Sequence, residues 1–226
     1  MNRLIPTCSP YKLLSEKKIF ALFILIIFFK NGFAVTKTWT GFANDGLWSS
    51  PANWSDNTVP LATDDVLLDN SNLTGSYTVI LPNTAVTIKT VTITPLSVNT
   101  IQLILPSSNT IENAFTISGP GYGLTINSGG IFKNSSGVSS GTPVNIADSI
   151  KINNGGKYIQ NAQGTHASNV AVLSKAAGTE KGIFEFDVPA TGSYSISFSN
   201  RTYGTLVLSS AAAGGNRSGN PCVLYI

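Results

Sequence analysis

The chain has 226 residues, with 14 Lys+Arg against 11 Asp+Glu, and only 11% of it is charged while 42% is hydrophobic. So little charge beside so many β-branched residues, with Thr, Ser, Asn and Gly filling the rest, argues for packed β-structure with polar corners and excludes a disordered chain. The basic residues form no run beyond the N-terminal region, which excludes the phosphate-neutralising footprint that nucleic-acid binding depends on.

Residues 1–34 read as an export signal. Arg3, Lys12, Lys17 and Lys18 make a long basic region, Ile19 to Phe29 is an uninterrupted apolar run of 11 residues, and Gly32-Phe33-Ala34 supplies small residues for cleavage after Ala34. Eleven residues are too few to span a bilayer, so no membrane span is expected after cleavage; an uncleaved N-terminal anchor is the alternative. Arg3, Lys12, Lys17, Lys18, Lys30 and Glu16 leave with the signal, so residues 35–226 carry nine basic side chains against ten acidic. Cys8 leaves too, and Cys222 alone can form no internal disulfide. The remaining 192 residues suffice for one domain with a substantial core.

Residues 35–65 differ from everything after them. Trp39, Trp48 and Trp54 all fall here among Gly41, Gly46, Pro51 and Pro60, a turn-rich aromatic segment suited to covering the open end of a core. Short alternating strands follow from Asp64 to Asn70 onward: 77–81, 86–93, 101–105, 115–117, 124–126, then 170–173, 183–188, 194–198, 206–208 and 223–226. One pattern occurs twice. Leu124-Thr-Ile-Asn-Ser-Gly-Gly-Ile-Phe and Ile150-Lys-Ile-Asn-Asn-Gly-Gly-Lys-Tyr align at a spacing of 26, pairing Ile126 with Ile152, Asn127 with Asn153 and Phe132 with Tyr158. A period of that length marks one coil of a solenoid. The expected fold is therefore all-β, a parallel β-helix (right-handed solenoid) with an N-terminal aromatic cap over 35–65 and coils over 66–226; an antiparallel β-sandwich, with each copy a hairpin turning at Gly-Gly, is the alternative.

The segment carrying Thr38-Trp-Thr-Gly41, Leu47-Trp-Ser49, Asn53-Trp54, Val59-Pro60 and Asp64-Asp-Val66 resembles the opening of β-solenoid repeats in bacterial secreted surface proteins. Among these are autotransporter-like adhesins and the type IX-secreted repeat proteins of Bacteroidetes type. Phe184-Glu-Phe-Asp-Val-Pro189, Tyr194, the run from Arg201 to Leu208 and Ala211 to Gly215 are similar to a recurring coil of the same proteins. The resemblance implies a secreted or cell-surface, non-enzymatic solenoid, a structural stalk or adhesin-like segment of the cell envelope, and carries no catalytic residues or cofactor. Expected partners are a surface polysaccharide or another cell-surface protein. Such proteins continue for more repeats and end in a sorting domain. The chain ends on the apolar run Pro221 to Ile226 with no polar cap and is accordingly expected to be the front of a longer protein or a truncated copy, self-associating through that end, with Cys222 available for an intermolecular disulfide.

Candidate chemistry is sparse. Glu185 and Asp187 alternate with apolar neighbours, which places both on one outward strand face about 7 Å apart, compatible with acid and base work on a polysaccharide. The competing reading is a solvated face whose charges deter edge pairing. A carbohydrate-active protein, either a β-helix lyase or hydrolase using these two acids or a binding module using Trp39, Trp48 and Trp54, is the alternative function. Asp64, Asp65 and Asp69 could ligate Ca²⁺, although their spacing fits no established loop. Gly137-Val-Ser139-Ser-Gly141 matches a nucleophile elbow in letters only, because Thr142-Pro143 blocks the helix that must follow. His166, the one histidine, is expected to sit exposed in its loop, and with Cys222 it cannot make a zinc site.

Overall fold

The computed structural model describes residues 34–164, 166–173, 180–189, 194–196, 202–209 and 217–219. Nearly all of the expected export signal lies outside these residues, as do Cys222 and the run 221–226. Among the described residues no helix is long and apolar enough to cross a membrane.

The chain winds as a parallel β-helix of about six turns. A first, partial turn holds β1 (Thr36–Thr38) and a bridge at Leu47. Three full turns follow, each with three strands: β2 (Asp65–Asp69), β3 (Tyr77–Ile80) and β4 (Val86–Ile88); then β5 (Thr90–Thr94), β6 (Ile101–Leu105) and β7 (Phe115–Ile117); then β8 (Tyr122–Ile126), β9 (Gly130–Asn134) and β10 (Val144–Ile146). The next turn has β11 (Ser149–Ile152), β12 (Lys157–Gln160) and a short helix, α1 (Ala167–Ala171). The last described strands are β13 (Ile183–Asp187), β14 (Tyr194–Ile196), β15 (Thr205–Ser209) and β16 (Arg217–Gly219).

Strands stack by side rather than by sequence neighbour. The first sheet runs β1-β2-β5-β8-β11, the second β3-β6-β9-β12-β13-β15, the third β4-β7-β10, and β14 pairs with β16. Every pairing between these strands is parallel, which rules out the sandwich. The expected register holds: Ile152 pairs with Ile126 and Tyr158 with Phe132. Alternation sends every second side chain inward, where Val66, Val91, Leu124 and Ile150 from the first sheet meet Leu103, Phe132 and Tyr158 from the second and Ile88, Ile117 and Val144 from the third. Each such side chain, fully buried, contributes roughly 1.5–3 kcal/mol.

The repeated Asn-x-Gly-Gly corner has a geometric cause. Gly129 and Gly155 both hold positive φ, at 77° and 80°, and a Cβ on Gly129 would lie 2.4 Å from the carbonyl oxygen of Asn99. Gly129 N–H donates to the Gly155 carbonyl at 3.0 Å, and Asn153 Nδ2 donates to Asn127 Oδ1. Backbone freedom and an amide ladder thus hold successive corners in line.

Aromatic rings form a column through the core. Trp48 meets Phe115 at 6.2 Å between centroids, Phe115 meets Phe132 at 5.8 Å, Phe132 meets Tyr158 at 5.1 Å, and Tyr158 stacks on Phe184 at 4.6 Å. Tyr203 closes on Phe184 at 5.7 Å. At the N-terminal end, Trp39 and Trp54 bridge antiparallel and Trp48 N–H donates to the Ile80 carbonyl at 2.9 Å. The segment therefore covers the outer edges of both β1 and β3, as a lid must. Asn53 explains the Asn-Trp pattern: buried, it donates to Asp45 Oδ1 and the Leu47 carbonyl and accepts from Ala43 N–H.

Three expectations are corrected. The single strand expected over 86–93 is two, split at Lys89, where the chain turns from the third sheet to the first and Lys89 N–H reaches the Asp64 carbonyl at 3.0 Å. The strand expected at 170–173 is half taken by α1, a single helical turn against β10, and ends in a parallel bridge of Leu173 to Ile150; Ala167-Ser-Asn has weak strand preference, and Asn169 is buried with its Nδ2 toward Tyr158 Oη at 3.4 Å. His166 is buried rather than exposed, edge-on to Phe186 at 4.9 Å, because α1 tucks its start against the column.

Candidate functional site

Strand β13 positions Glu185 and Asp187 outward together, since Phe184 and Phe186 between and beside them point into the core. Both acids are engaged by neighbouring turns. Lys157 Nζ on β12 donates to Glu185 Oε2 at 3.0 Å, and Ser209 Oγ on β15 donates to Oε1 at 2.6 Å. Burial alone would raise the Glu185 carboxyl, but those two hydrogen bonds and the charges of Lys157 and Lys133 outweigh it and hold the group below the usual carboxylate range. A general acid needs the opposite perturbation. Asn161 Nδ2 donates to Asp187 at both its carbonyl oxygen and, at 3.0 Å, its Oδ2; Asn161 in turn accepts from Ser135 Oγ at 3.0 Å. The pair thus ties three turns together along one corner.

The three tryptophans present no indole face to solvent, each being 1% exposed. Trp54 Nε1 donates to the Trp48 carbonyl at 2.8 Å, and Trp39 and Trp48 pack edge-on to Trp54 at 5.0 and 4.7 Å. A stacking platform for a sugar ring requires an open face; this cluster spends its faces on itself and on Tyr77 and Phe115.

Asp64, Asp65 and Asp69 do not converge. Asp64 turns in and accepts from Leu61 N–H at 2.9 Å; Asp65 points out to Lys89 Nζ at 2.9 Å and Thr90 Oγ1 at 2.6 Å; Asp69 accepts from Ser71 N–H at 3.0 Å and Ser71 Oγ at 2.6 Å. For Asp65, burial raises the carboxyl while Thr90 and Lys89 lower it further, leaving it below its ordinary value. Among the described residues no three His, Cys, Asp or Glu side chains gather where a metal ion could be held. Ser139 is exposed in the loop between β9 and β10, with no helix after it, so the elbow geometry is absent. That loop borders a groove of about 270 Å³ lined by Ser135, Ser139, Asn161, Gln163 and Pro189.

One titratable group escaped sequence reasoning. Glu180 is 6% exposed, and its Oε1 accepts from Ile152 N–H at 3.2 Å, at the edge where the first sheet loses its ladder beyond β11. Oε2 is buried without a hydrogen-bond partner. Burial pushes the carboxyl up to about 7, against hydrogen bonds from the N–H groups of Gly182, Ile152 and Lys181 and the charge of Lys151. Nothing in Gly-Thr-Glu-Lys marks it, because the local sequence resembles a solvated loop.

The chain matches no protein-family model, no curated protein and no solved structure, so its reading rests on its own residues.

Proposed function

We propose that this chain is a secreted or cell-surface, non-enzymatic β-solenoid that serves as a structural stalk or adhesin-like segment, with a surface polysaccharide or another cell-surface protein as its partner. The observation that carries this reading is the aromatic column running from Trp48 to Tyr203. Each ring but the half-buried Tyr203 is buried only because the turns above and below it are in place, so bending the rod opens its core. The outward carboxylates support the same reading: Glu185, Asp187 and Asp65 all bind groups on neighbouring turns.

Two measurements test it. Protease shaving of intact cells should release the protein, whereas confinement to the cell interior would refute the location. Incubation with a panel of soluble and insoluble polysaccharides should leave chain length unchanged. Depolymerisation that Glu185→Gln abolishes would establish the carbohydrate-active alternative instead.

A further inference from the structure

Two of the three long sides of the solenoid are polar outside apart from Leu67, which lies in register with Thr92 on the first sheet. Thr92, Thr125 and Lys151 lie in register across the first sheet, and Thr87, Thr116 and Asn145 across the third. The second sheet instead turns an aliphatic residue outward on each of its six strands: Ile80, Ile104, Ile131, Ile159, Ile183 and Val207. Threonine stacks well enough on the other two sides, so strand pairing alone does not account for isoleucine on this one. The same face carries Lys133, Lys157, Glu185 and Asp187, two charges of each sign.

The register arranges the outward side chains in two rows. One runs Gln102, Ile131, Lys157, Ile183, Thr205; the other runs Ile104, Lys133, Ile159, Glu185, Val207. We infer that a second copy of this chain docks on this face about a two-fold axis lying along β12, so that the two rods run antiparallel. That operation sets β9 opposite β13 of the second copy and β6 opposite β15. Lys133 then faces Glu185 of the second copy, Ile131 faces Ile183, Ile104 faces Val207, and Ile159 faces itself. Of the charged residues Lys157 alone meets its like, and it is already held by Glu185 of its own chain at 3.0 Å. The other two-fold, with its axis along the rod, sets each strand against itself with the rows exchanged. It would press Ile131 onto Lys133 and Ile159 onto Lys157 and is disfavoured by burying charge against hydrocarbon.

Five overlapping strands about 4.8 Å apart, four or five residues long at about 3.3 Å per residue, give a footprint of roughly 400 Å² per copy. The pair buries roughly 800 Å², short of the ~1,200–2,000 Å² of standard stable complexes, so the dimer is reversible and dissociates on dilution.

Sedimentation velocity on the full-length protein across a wide concentration range tests this directly. The expected result is a monomer–dimer equilibrium weakened at least about tenfold by Lys133→Glu, which leaves the pair of Lys157 with Glu185 intact. Circular dichroism confirms that each variant keeps the strand content of the parent. With Cys8→Ser and Cys222→Ser in place, Ile159→Cys should cross-link to a disulfide dimer on oxidation while Thr92→Cys should not. A monomer at every concentration, a dimer indifferent to Lys133→Glu, or equal cross-linking at both cysteine positions overturns the proposal.

Discussion

Replacing Glu180 by glutamine separates the charge of this group from its role as an acceptor. Glutamine keeps a carbonyl oxygen for Ile152 N–H, which Glu180 Oε1 accepts at 3.2 Å, and removes the ionisation. Burial raises the carboxyl from its ordinary 4.5 to about 7 in the folded chain, so the folded state holds the proton more tightly than the unfolded state. The stabilisation is fully present below about 4.5 and is lost as pH rises through about 7. At about 1.36 kcal/mol per pH unit, that difference amounts to on the order of 3 kcal/mol. Urea denaturation of parent and variant at pH 8 and pH 5 reads it out. The variant should be the more stable at pH 8 by up to about 3 kcal/mol, and the gap should narrow to under about 1 kcal/mol at pH 5. Every other ionisable group is common to both proteins, so it drops out of the difference. A gap that stays constant with pH, or a parent more stable at pH 8, would refute the burial of an ionisable Glu180 against the edge of the first sheet.

Tyr158→Ala should cost about 3–5 kcal/mol in urea denaturation, since the ring is fully buried between Phe132 and Phe184; a loss under about 1 kcal/mol would remove the column as a source of stability. Trp54→Ala should cost a similar ~3–5 kcal/mol, and the parent's tryptophan emission should be blue-shifted, shielded from acrylamide and indifferent to polysaccharides. Retained stability with lost polysaccharide binding would move these residues into a ligand site. Calcium or a chelator should leave the melting temperature unchanged, because Asp64, Asp65 and Asp69 serve three separate sets of hydrogen bonds; a rise with calcium would contradict that separation.

What could be read from the residues follows the coils whose corners are shortest. Between Ile126 and Ile152 the chain takes 26 residues to return to the same rung, and the Gly-Gly corner recurs unchanged, so alignment by eye finds it. Between Ile93 and Ile126 it takes 33, and between Ile183 and Thr205 only 22. Stacking constrains only the inward side chains and their register; a loop can lengthen at any corner without disturbing the rungs, and it erases the period as it does so. The aromatic column was half-legible for the same reason. Gly182-Ile-Phe184 repeats Gly130-Ile-Phe132 and Gly156-Lys-Tyr158 at the 26-residue spacing, whereas Phe115 joins the column from the third sheet, where no repeated corner announces it.

The candidate acids show the complementary difficulty. Alternation correctly placed Glu185 and Asp187 outward, but a strand face does not reveal what lies one rung above and below, since those residues are some 22 to 28 positions away. Directly above and below Glu185 the register sets Ile159 and Val207, so whether it is a reactive group or a tie between turns depends on the residues diagonal to it on the adjacent strands. Lysine at 157 and serine at 209 make Glu185 a tie; an aliphatic pair at those two positions would leave the same glutamate desolvated and unpaired, with its carboxyl pushed up toward the range of a general acid. Lys157→Met together with Ser209→Ala recreates that environment. It should raise the Glu185 titration midpoint above the usual carboxylate value, as followed by carboxyl carbon chemical shifts, and an unmoved midpoint would show that the two hydrogen bonds do not hold it down.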